Sequence, residues 1–287
     1  MQNNISVIIP AYNEEKTIKE AITGLKKELT NLPLDYEIIV VNDGSTDKTK
    51  EIIERVPDIK LISHAANKGY GAAIKTGVKN SRYDRVLFFD ADGQHKPEYI
   101  KDLIKHADDC EMVIGQRTGY KGPILRQPGK KFLTWLAGYL VEQKILDINS
   151  GLRLIKKGEF LKFIHLFPDS FSISTTSTLA FLKEGLGIKY VPITINKRGA
   201  DTKSSVKMKH GFQTILLMLR IIMIFNPLKI FLPISLAAGF LTFIFLIYDI
   251  ATFNVSEVTI MLFTAAVLIF CFGLLADQMS AIRREKQ

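Results

Sequence analysis

Two textures divide the chain. From its start to about residue 200, short apolar runs alternate with stretches whose apolar positions recur at helical spacing. The runs are Ser6–Ile9, Glu37–Val41, Lys60–Ser63, Val86–Phe89, Met112–Ile114 and Lys189–Val191. The amphipathic stretches between them include Glu15–Leu29, Asp47–Arg55, Ala72–Lys79 and Pro97–His106. Runs rich in Val, Ile and Phe that do not alternate with polar residues suit strands buried on both faces. The strand–helix–strand rhythm predicts an α/β domain built on a parallel sheet with helices on both faces. Pro97 suits the first turn of its helix, where a missing N–H removes no hydrogen bond.

Beyond Arg198 the texture changes. Lys203 to His210 is basic, and Gly211–Phe225 is apolar apart from Gln213 and Arg220. That pattern predicts a helix lying at a membrane surface, with Lys203, Lys207 and Lys209 near lipid headgroups; a helix packed on the preceding domain is the alternative. Ile230–Tyr248 and Val258–Ala276 then carry no charged side chain. At 1.5 Å per residue each spans roughly 28 Å, about the hydrocarbon thickness of a bilayer. Core helices of a soluble protein would seldom be so free of charge. The link Asp249–Glu257 has no Lys or Arg, whereas Lys229 and the lysines before it, and Arg283, Arg284 and Lys286, lie outside the pair. Positive-inside bias therefore predicts two transmembrane helices with both ends cytoplasmic. Met1–Asn4 has no basic and long apolar leader, so no secretory signal is expected and the first domain should stay cytoplasmic. The expected organisation is a domain over residues 1–205, a juxtamembrane helix over 206–227 and a two-helix hairpin with a basic tail over 228–287.

Composition agrees. The 287 residues are 47% hydrophobic, which favours a membrane portion, and the net charge of +9 favours an anionic partner. The two cysteines, Cys110 and Cys271, allow no CxxC or zinc spacing and no disulfide framework, in keeping with a reduced compartment. The five histidines form no cluster in the sequence.

Candidate chemistry falls at the ends of the predicted strands, where open α/β sheets bind ligands. The first strand runs into Pro10-Ala11-Tyr12-Asn13-Glu14-Glu15 and the second into Asn42-Asp43-Gly44-Ser45-Thr46-Asp47. An Asp there can accept from a base N–H and a Glu from ribose hydroxyls. The plainer alternative is turn and cap chemistry, with Asn13 and Ser45 or Thr46 as helix caps. The fourth strand runs into Asp90-Ala91-Asp92-Gly93-Gln94-His95. Two carboxylates one residue apart at a strand end can share a crevice, and hard oxygen ligands with open positions suit Mg²⁺ or Mn²⁺ bridged to a diphosphate. A dinucleotide oxidoreductase fits poorly. Gly69-Tyr70-Gly71-Ala72-Ala73-Ile74 begins like a phosphate fingerprint, but its sixth residue is Ile and it follows the third strand rather than the first.

These motifs in this order, together with Asn67-Lys68-Gly69-Tyr70-Gly71-Ala72-Ala73, resemble family-two glycosyltransferases of the GT-A fold. The polyprenyl-phosphate branch is the nearest likeness, supported by Val113-Ile114-Gly115-Gln116-Arg117, Asp147-Ile148-Asn149-Ser150-Gly151-Leu152-Arg153 and Arg198-Gly199-Ala200-Asp201-Thr202-Lys203-Ser204. The resemblance covers essentially the whole chain. It implies a GT-A Rossmann-like nucleotide-sugar-binding domain followed by an interfacial helix and two transmembrane helices. It also implies an inverting hexosyltransferase acting on a nucleotide sugar and a polyprenyl phosphate at the bilayer, with Mg²⁺ or Mn²⁺ and no nucleic-acid partner. Homo-oligomers fit such anchors. By the resemblance Pro10, Tyr12, Glu14, Asp43 and Lys68 belong to the nucleotide site. Asp90 faces the donor, and Asp92 and Gln94, with Asp90, form the metal set. Arg117, Ser150 and Arg153 face the donor diphosphate or the acceptor phosphate, Arg198 and Lys203 cover the site, and Lys131 and Thr134 are further acceptor-phosphate candidates. Three departures stand out: Asn42 where an Asp is usual, Gln116 where a Ser is usual, and Ser172–Thr176 where a helix-start Glu is common.

Transfer to a phosphate acceptor needs alignment and charge control rather than a general base, since a phosphate monoester with second pKa of about 6 is largely dianionic at neutral pH. A UDP-sugar is preferred over a GDP-sugar because the two-helix ending looks like the bacterial glucosyl branch. A processive polysaccharide synthase is the rival enzyme reading, but the only tryptophan, Trp135, follows Phe132-Leu133-Thr134 and no Gln-x-x-Arg-Trp segment exists. A non-catalytic sugar-nucleotide-binding scaffold is the rival from another class, and the intact Asp43, Asp90 and Asp92 weigh against it.

Overall fold

The structure, a computed structural model, describes residues 4–118, 127–170, 172–196 and 208–285. The chain forms two compact units, Met1–Thr214 and Ile215–Gln287.

The first unit is a sandwich of helices around one sheet. Its strands are β1 (Ile5–Ala11), β2 (Tyr36–Asn42), β3 (Lys60–Ser63), β4 (Arg85–Phe88), β5 (Met112–Arg117), β6 (Arg153–Lys156) and β7 (Ile188–Ile193). Helices α1 (Ile18–Thr30), α2 (Thr49–Glu54), α3 (Tyr70–Lys79), α4 (Ile100–Ile104), α5 (Gln127–Val141), α6 (Lys157–Phe163) and α7 (Ile173–Lys183) connect them. Pro97 opens a 3₁₀ turn, Pro97–Tyr99, that leads into α4. The spatial order is β3-β2-β1-β4-β6-β5-β7. Every residue of β1 is buried, as its unbroken apolar run requires for a central strand. β3 at one edge is largely uncovered.

The sheet is mixed rather than all-parallel. β1 runs parallel to β2 and β4, β2 to β3, and β5 to β7. β6 runs antiparallel to both of its neighbours, and Arg153 pairs with Phe88 on one side and Ile114 on the other. This reversal corrects the expected parallel sheet. The chain returns from α5 to the same edge at which β4 and β5 end, so β6 must enter the sheet from there. The segment before it, residues 147–152, therefore meets the ends of β4 and β5.

Helix α3 lies unusually close to the sheet. A Cβ on Gly77 would stand 2.2 Å from Cγ2 of Ile8 in β1, so only glycine lets the helix approach this far.

The second unit contains residues 215–225 of α8 (Met208–Phe225) and the pair α9 (Leu228–Thr252) and α10 (Glu257–Glu285). In α8, Met218, Ile221, Ile222 and Phe225 are buried along one face while Leu216 and Met223 stay exposed, and Ser280 of α10 donates to the Ile224 carbonyl. Leu228–Thr252 and Glu257–Ile282 are long and apolar enough to cross a membrane, and only 11% and 17% of their most apolar windows are buried. A soluble core helix would be mostly covered. Phe253, at φ 52°, ends α9 in the left-handed region. The Asp249 carboxylate then accepts from the Ser256 N–H at 2.9 Å and the Thr259 hydroxyl at 2.6 Å, which joins the end of α9 to the start of α10.

Gly77→Ala should lower the thermal midpoint of the full chain in detergent, with a loss of about 1–3 kcal/mol expected for overpacking against Ile8. Thermal unfolding followed by circular dichroism checks this; an unchanged midpoint would refute the close approach of α3 to β1.

Candidate active site

Three strand ends and the reversed segment before β6 converge on one edge of the sheet. The first two loops are sewn together by their own polar side chains. The Asn13 side-chain oxygen accepts from the Thr46 N–H at 2.8 Å, and Ser45 Oγ accepts from the Asn13 N–H at 3.1 Å. Thr49 Oγ1 accepts from the Glu14 N–H at 2.8 Å. Asn13, Ser45 and Thr46 thus tie loop to loop instead of capping α1 and α2, whose cap positions are Thr17 and Lys48. Pro10 sits in β1 opposite Val41. Tyr12 is exposed at the rim, and the Glu14 carboxylate accepts from the Thr17 hydroxyl at 2.9 Å.

Asp43 is buried and holds the next loop. Its oxygens accept from the Lys68 N–H at 2.9 Å and the Gly69 N–H at 2.8 Å, and His64 Nδ1 lies 2.6 Å away. The turn demands glycine: Gly69 has φ +104°, and a Cβ there would meet the Asp169 carbonyl oxygen at 2.3 Å. The same carbonyl accepts from Gly71 N–H at 2.8 Å. The start of α3 is therefore filled by the protein's own backbone, so Gly69-Tyr70-Gly71 is not a dinucleotide phosphate turn. The Lys68 side chain is exposed beside it.

At the end of β4, Asp90 points into the crevice between Tyr70 and His95. The Tyr70 hydroxyl donates to Asp90 Oδ1 at 2.8 Å, and His95 Nε2 lies 3.3 Å from Oδ2. Burial pushes the Asp90 carboxyl up, but the hydrogen bond and charge of His95, the Tyr70 hydroxyl and the Arg117 charge outweigh it and hold the group below the usual carboxylate range. Burial and the Asp90 charge push Tyr70 well above its ordinary value, so it remains a donor. Gly151 presses on the other side of this carboxylate: a Cβ there would lie 2.1 Å from Asp90 Oδ2. Asp92, half-buried, accepts from Gln94 through backbone N–H at 3.1 Å and side-chain amide at 2.5 Å. The loop is anchored by Ile195–Asn196, through the His95–Ile195 bridge and the Asn196 N–H donated to the Gln94 carbonyl at 3.0 Å.

Two arginines stand on the other side, one at the end of β5 and one at the start of β6. Arg117, at the end of β5, grips Asp147 with two parallel bonds, Nε at 2.7 Å and Nη2 at 2.8 Å; Asp147 is almost wholly covered while Arg117 keeps 19% of its side chain exposed. Arg153 is fully buried. Its guanidinium donates to the carbonyls of Ser150 at 2.7 Å, Ile148 at 3.0 Å and Ser174 at 2.7 Å, and to the Thr178 hydroxyl at 2.9 Å. Sequence-based expectation had Arg153 facing an anionic reactant. Its donors instead point into the protein, because β6 runs between β4 and β5 and leaves the first residue of the strand covered on both faces. Burial lowers its pKa to about 10, so the charge persists at neutral pH. Thr175 donates to Asn149 at 2.8 Å, a second tie between α7 and the segment. The buried Ser150 hydroxyl has no hydrogen-bond partner among the described residues.

Lys131, exposed, and Thr134, half-buried, stand on α5. Arg198 and Lys203 lie outside the described residues. Tyr70, His64, His95 and Asp147 were not among the expected site residues; Asp147 stood in the sequence only as the one acid of the Asp147–Arg153 motif, and its pairing with Arg117 comes from the fold.

Among the described residues no group of three or more His, Cys, Asp or Glu forms a metal cluster. Asp92 and Gln94 nonetheless bring hard oxygens to a loop whose Gly93 borders open space. That donor set fits an Mg²⁺ or Mn²⁺ ion held by one or two carboxylates and completed by substrate phosphate oxygens.

Comparisons with known proteins bear on the fold and the family. The description Glycosyl transferase family 2 matches residues 6–160, and the description GtrB C-terminal hairpin matches residues 226–282. The chain is 35% identical over 208 residues to an uncharacterized protein of Methanocaldococcus jannaschii, covering 67% of this chain and 81% of that one. It is 32% identical over 218 residues to the UDP-N-acetylglucosamine–dolichyl-phosphate N-acetylglucosaminyltransferase of Methanococcus voltae, covering 66% and 84%. Among solved structures, glucosyl-3-phosphoglycerate synthase from Mycobacterium tuberculosis, in complex with Mn²⁺, UDP-glucose and phosphoglyceric acid, superposes with a TM-score of 0.61 at 20% identity, covering 77% of this chain and 80% of that one, a likeness of fold. The family match makes the protein a glycosyltransferase: the chain belongs to glycosyl transferase family 2.

Arg153→Lys should destabilise the protein by about 3 kcal/mol, since three ammonium donors on a flexible stem cannot replace a planar fork that satisfies several buried acceptors at once. Chemical unfolding of the full chain measures it; wild-type stability would refute the anchoring role.

Proposed function

We propose that the protein transfers a hexose from a nucleoside diphosphate sugar, UDP in preference to GDP, to a polyprenyl phosphate at the cytoplasmic face of a membrane, with inversion at the anomeric carbon. One observation carries the reading. An acidic pair, Asp90 and Asp92, and a bidentate Arg117–Asp147 pair lie on one side of the sheet in a family 2 chain whose residues 226–282 match a C-terminal hairpin and include two helices long and apolar enough to cross a membrane. The relative from Methanococcus voltae, whose name states a dolichyl-phosphate acceptor and a UDP-linked donor, supports both choices. The basic residues flanking α9 and α10 support the orientation.

In this reading Pro10, Tyr12, Glu14 and Lys68 border the nucleoside, and Asp43 positions the Lys68–Gly69 turn by accepting its two N–H groups. Asp90, kept ionised by Tyr70 and His95, faces the donor sugar and accepts from its hydroxyls. Asp92 and Gln94, with Asp90 behind them, are the residues that would hold Mg²⁺ or Mn²⁺, which when bound neutralises charge on the departing nucleoside diphosphate. Arg117, fixed in direction by Asp147, gathers the two anionic reactants that would otherwise repel. Ser150 offers a hydroxyl to the same anions, and Arg153 acts as a positioning residue beneath them. Lys131 and Thr134 approach the acceptor phosphate from α5, and Arg198 and Lys203, outside the described residues, are assigned to the same phosphate by the sequence resemblance alone. An oxygen of the lipid phosphate attacks the anomeric carbon from the face opposite the diphosphate. The new carbon–oxygen bond forms as the bond to the nucleoside diphosphate breaks, and no proton need be removed from the acceptor.

Membranes containing the full chain, given labelled donor and polyprenyl phosphate, should yield an organic-extractable lipid monosaccharide. Asp92→Asn should lower that turnover by about 10²-fold or more while leaving the fold intact by circular dichroism. A long polymer, no product from any donor, or full activity in the variant would each overturn the reading.

A further inference from the structure

Asp43 is held from behind by a histidine that the transfer chemistry does not use. The side chains of Asp43 and His64 are only 4% and 7% exposed. The main chain brings them together. The His64 N–H donates to the Asn42 carbonyl at 2.9 Å, just beyond the last β2–β3 pair, and the Asp43 N–H donates to the Ala11 carbonyl at 2.8 Å. Asp43 Oδ1 already accepts the Lys68 N–H at 2.9 Å, so His64 Nδ1, 2.6 Å away, carries a proton and donates to the same oxygen. The opposite ring nitrogen, Nε2, meets the Thr76 hydroxyl of α3 at 2.9 Å. Bound at both nitrogens, the ring is held against the carboxylate.

An ionised carboxylate offers about four acceptor sites, two on each oxygen. Among the described residues three of Asp43's are filled: both on Oδ1, by His64 and Lys68, and one on Oδ2, by the Gly69 N–H at 2.8 Å. The acceptor site left over is on Oδ2. That vacancy bears on the base. A uracil ring presents a single N–H between two carbonyl oxygens, and one acceptor satisfies it. Guanine presents a ring N–H and an amino group side by side, a pair that takes both oxygens of a carboxylate. A donor buried without an acceptor is penalised, and polar sites select between ligands by this asymmetry. We infer that His64 is a positioning residue for donor selection: by occupying the second site on Asp43 Oδ1, it limits the carboxylate to one base N–H and favours uracil over guanine. The inference rests on the nucleoside reading of this crevice proposed above and gives its preference for UDP a physical cause.

Calorimetric titration of UDP and of GDP, each with Mn²⁺, into the purified full chain reads the ratio of the two dissociation constants. A general loosening of the crevice weakens both nucleotides alike and leaves that ratio unmoved. The unaltered chain should favour UDP by about tenfold or more. His64→Asn, whose amide N–H takes the place of Nδ1–H, should keep the preference. His64→Gln carries its amide to the Nε2 position and leaves a site on Oδ1 free; His64→Leu supplies no donor at all. Each of these two should shift the ratio toward GDP by roughly tenfold. Circular dichroism checks that the variants are folded, and the comparison of the two amide variants decides the matter where His64→Leu does not fold. A preference for UDP that is the same in the unaltered chain and in His64→Gln would overturn the inference and leave the donor reading standing, as would a preference lost equally in His64→Asn and His64→Gln. Preference of the unaltered chain for GDP, or binding of neither nucleotide, would overturn the inference and the UDP reading together. A His64-dependent preference for UDP in a chain that transfers no sugar to any prenyl phosphate would uphold the inference and remove only the acceptor reading.

Discussion

One buried guanidinium organises this protein. Arg153 begins a strand that runs against its two neighbours, and its donors hold the carbonyls of the segment it comes from, Ile148 and Ser150, and those of the first turn of α7 at Ser174. A positive charge removed from water is tolerated only when its donors are nearly all satisfied, and that demand fixes two stretches of backbone at once. Gly151 is thereby pressed against Asp90 and Asp147 is set under Arg117. The acid side and the cation side of the crevice meet because the strand is reversed. In a fully parallel sheet the Asp147–Arg153 segment would have ended at the opposite edge.

The apolar strands of the first unit were legible because burial on both faces leaves unbroken Val, Ile and Phe runs, and β1 to β5 and β7 fall where those runs lie. β6 was not legible. It is four residues long, begins with Arg and ends with Lys, so neither its length nor its pattern distinguishes it from a loop. The same strand explains why Arg153 reads on paper as an anion-facing arginine: nothing in a single sequence says that a charged residue is the covered end of a central strand. Carboxylates at strand ends were legible as chemistry, but their partners were not. Tyr70 and His95 reach Asp90 only through the fold, and His64 finds Asp43 across the β2–β3 edge. The loop ties of Asn13 also lay beyond local pattern, since an Asn after a strand looks the same whether it caps a helix or a neighbouring loop.

The second unit obeys a simpler rule. Absence of charge over a bilayer's width read directly as helix, and both helices are present with little of their apolar surface covered. What hydropathy did not reveal is the join, where Asp249, still within α9, accepts from Ser256 and Thr259 at the start of α10. An acid at the end of an apolar helix is thus a structural link between the two helices. Family membership and the hairpin place sugar transfer and a membrane in the same chain, and the strand reversal gives a physical account of how Asp90 and the Arg117–Asp147 ion pair come to the same side of the sheet.

The central claim is that the crevice binds a nucleoside diphosphate sugar through a divalent ion held at the end of β4. Calorimetric titration of UDP-glucose, UDP-N-acetylglucosamine and GDP-mannose into the purified full chain, with Mn²⁺ or Mg²⁺ and then with excess chelator, tests it most directly. The account predicts saturable binding of at least one of them that disappears on chelation; binding of none of them, or binding indifferent to the chelator, would contradict it.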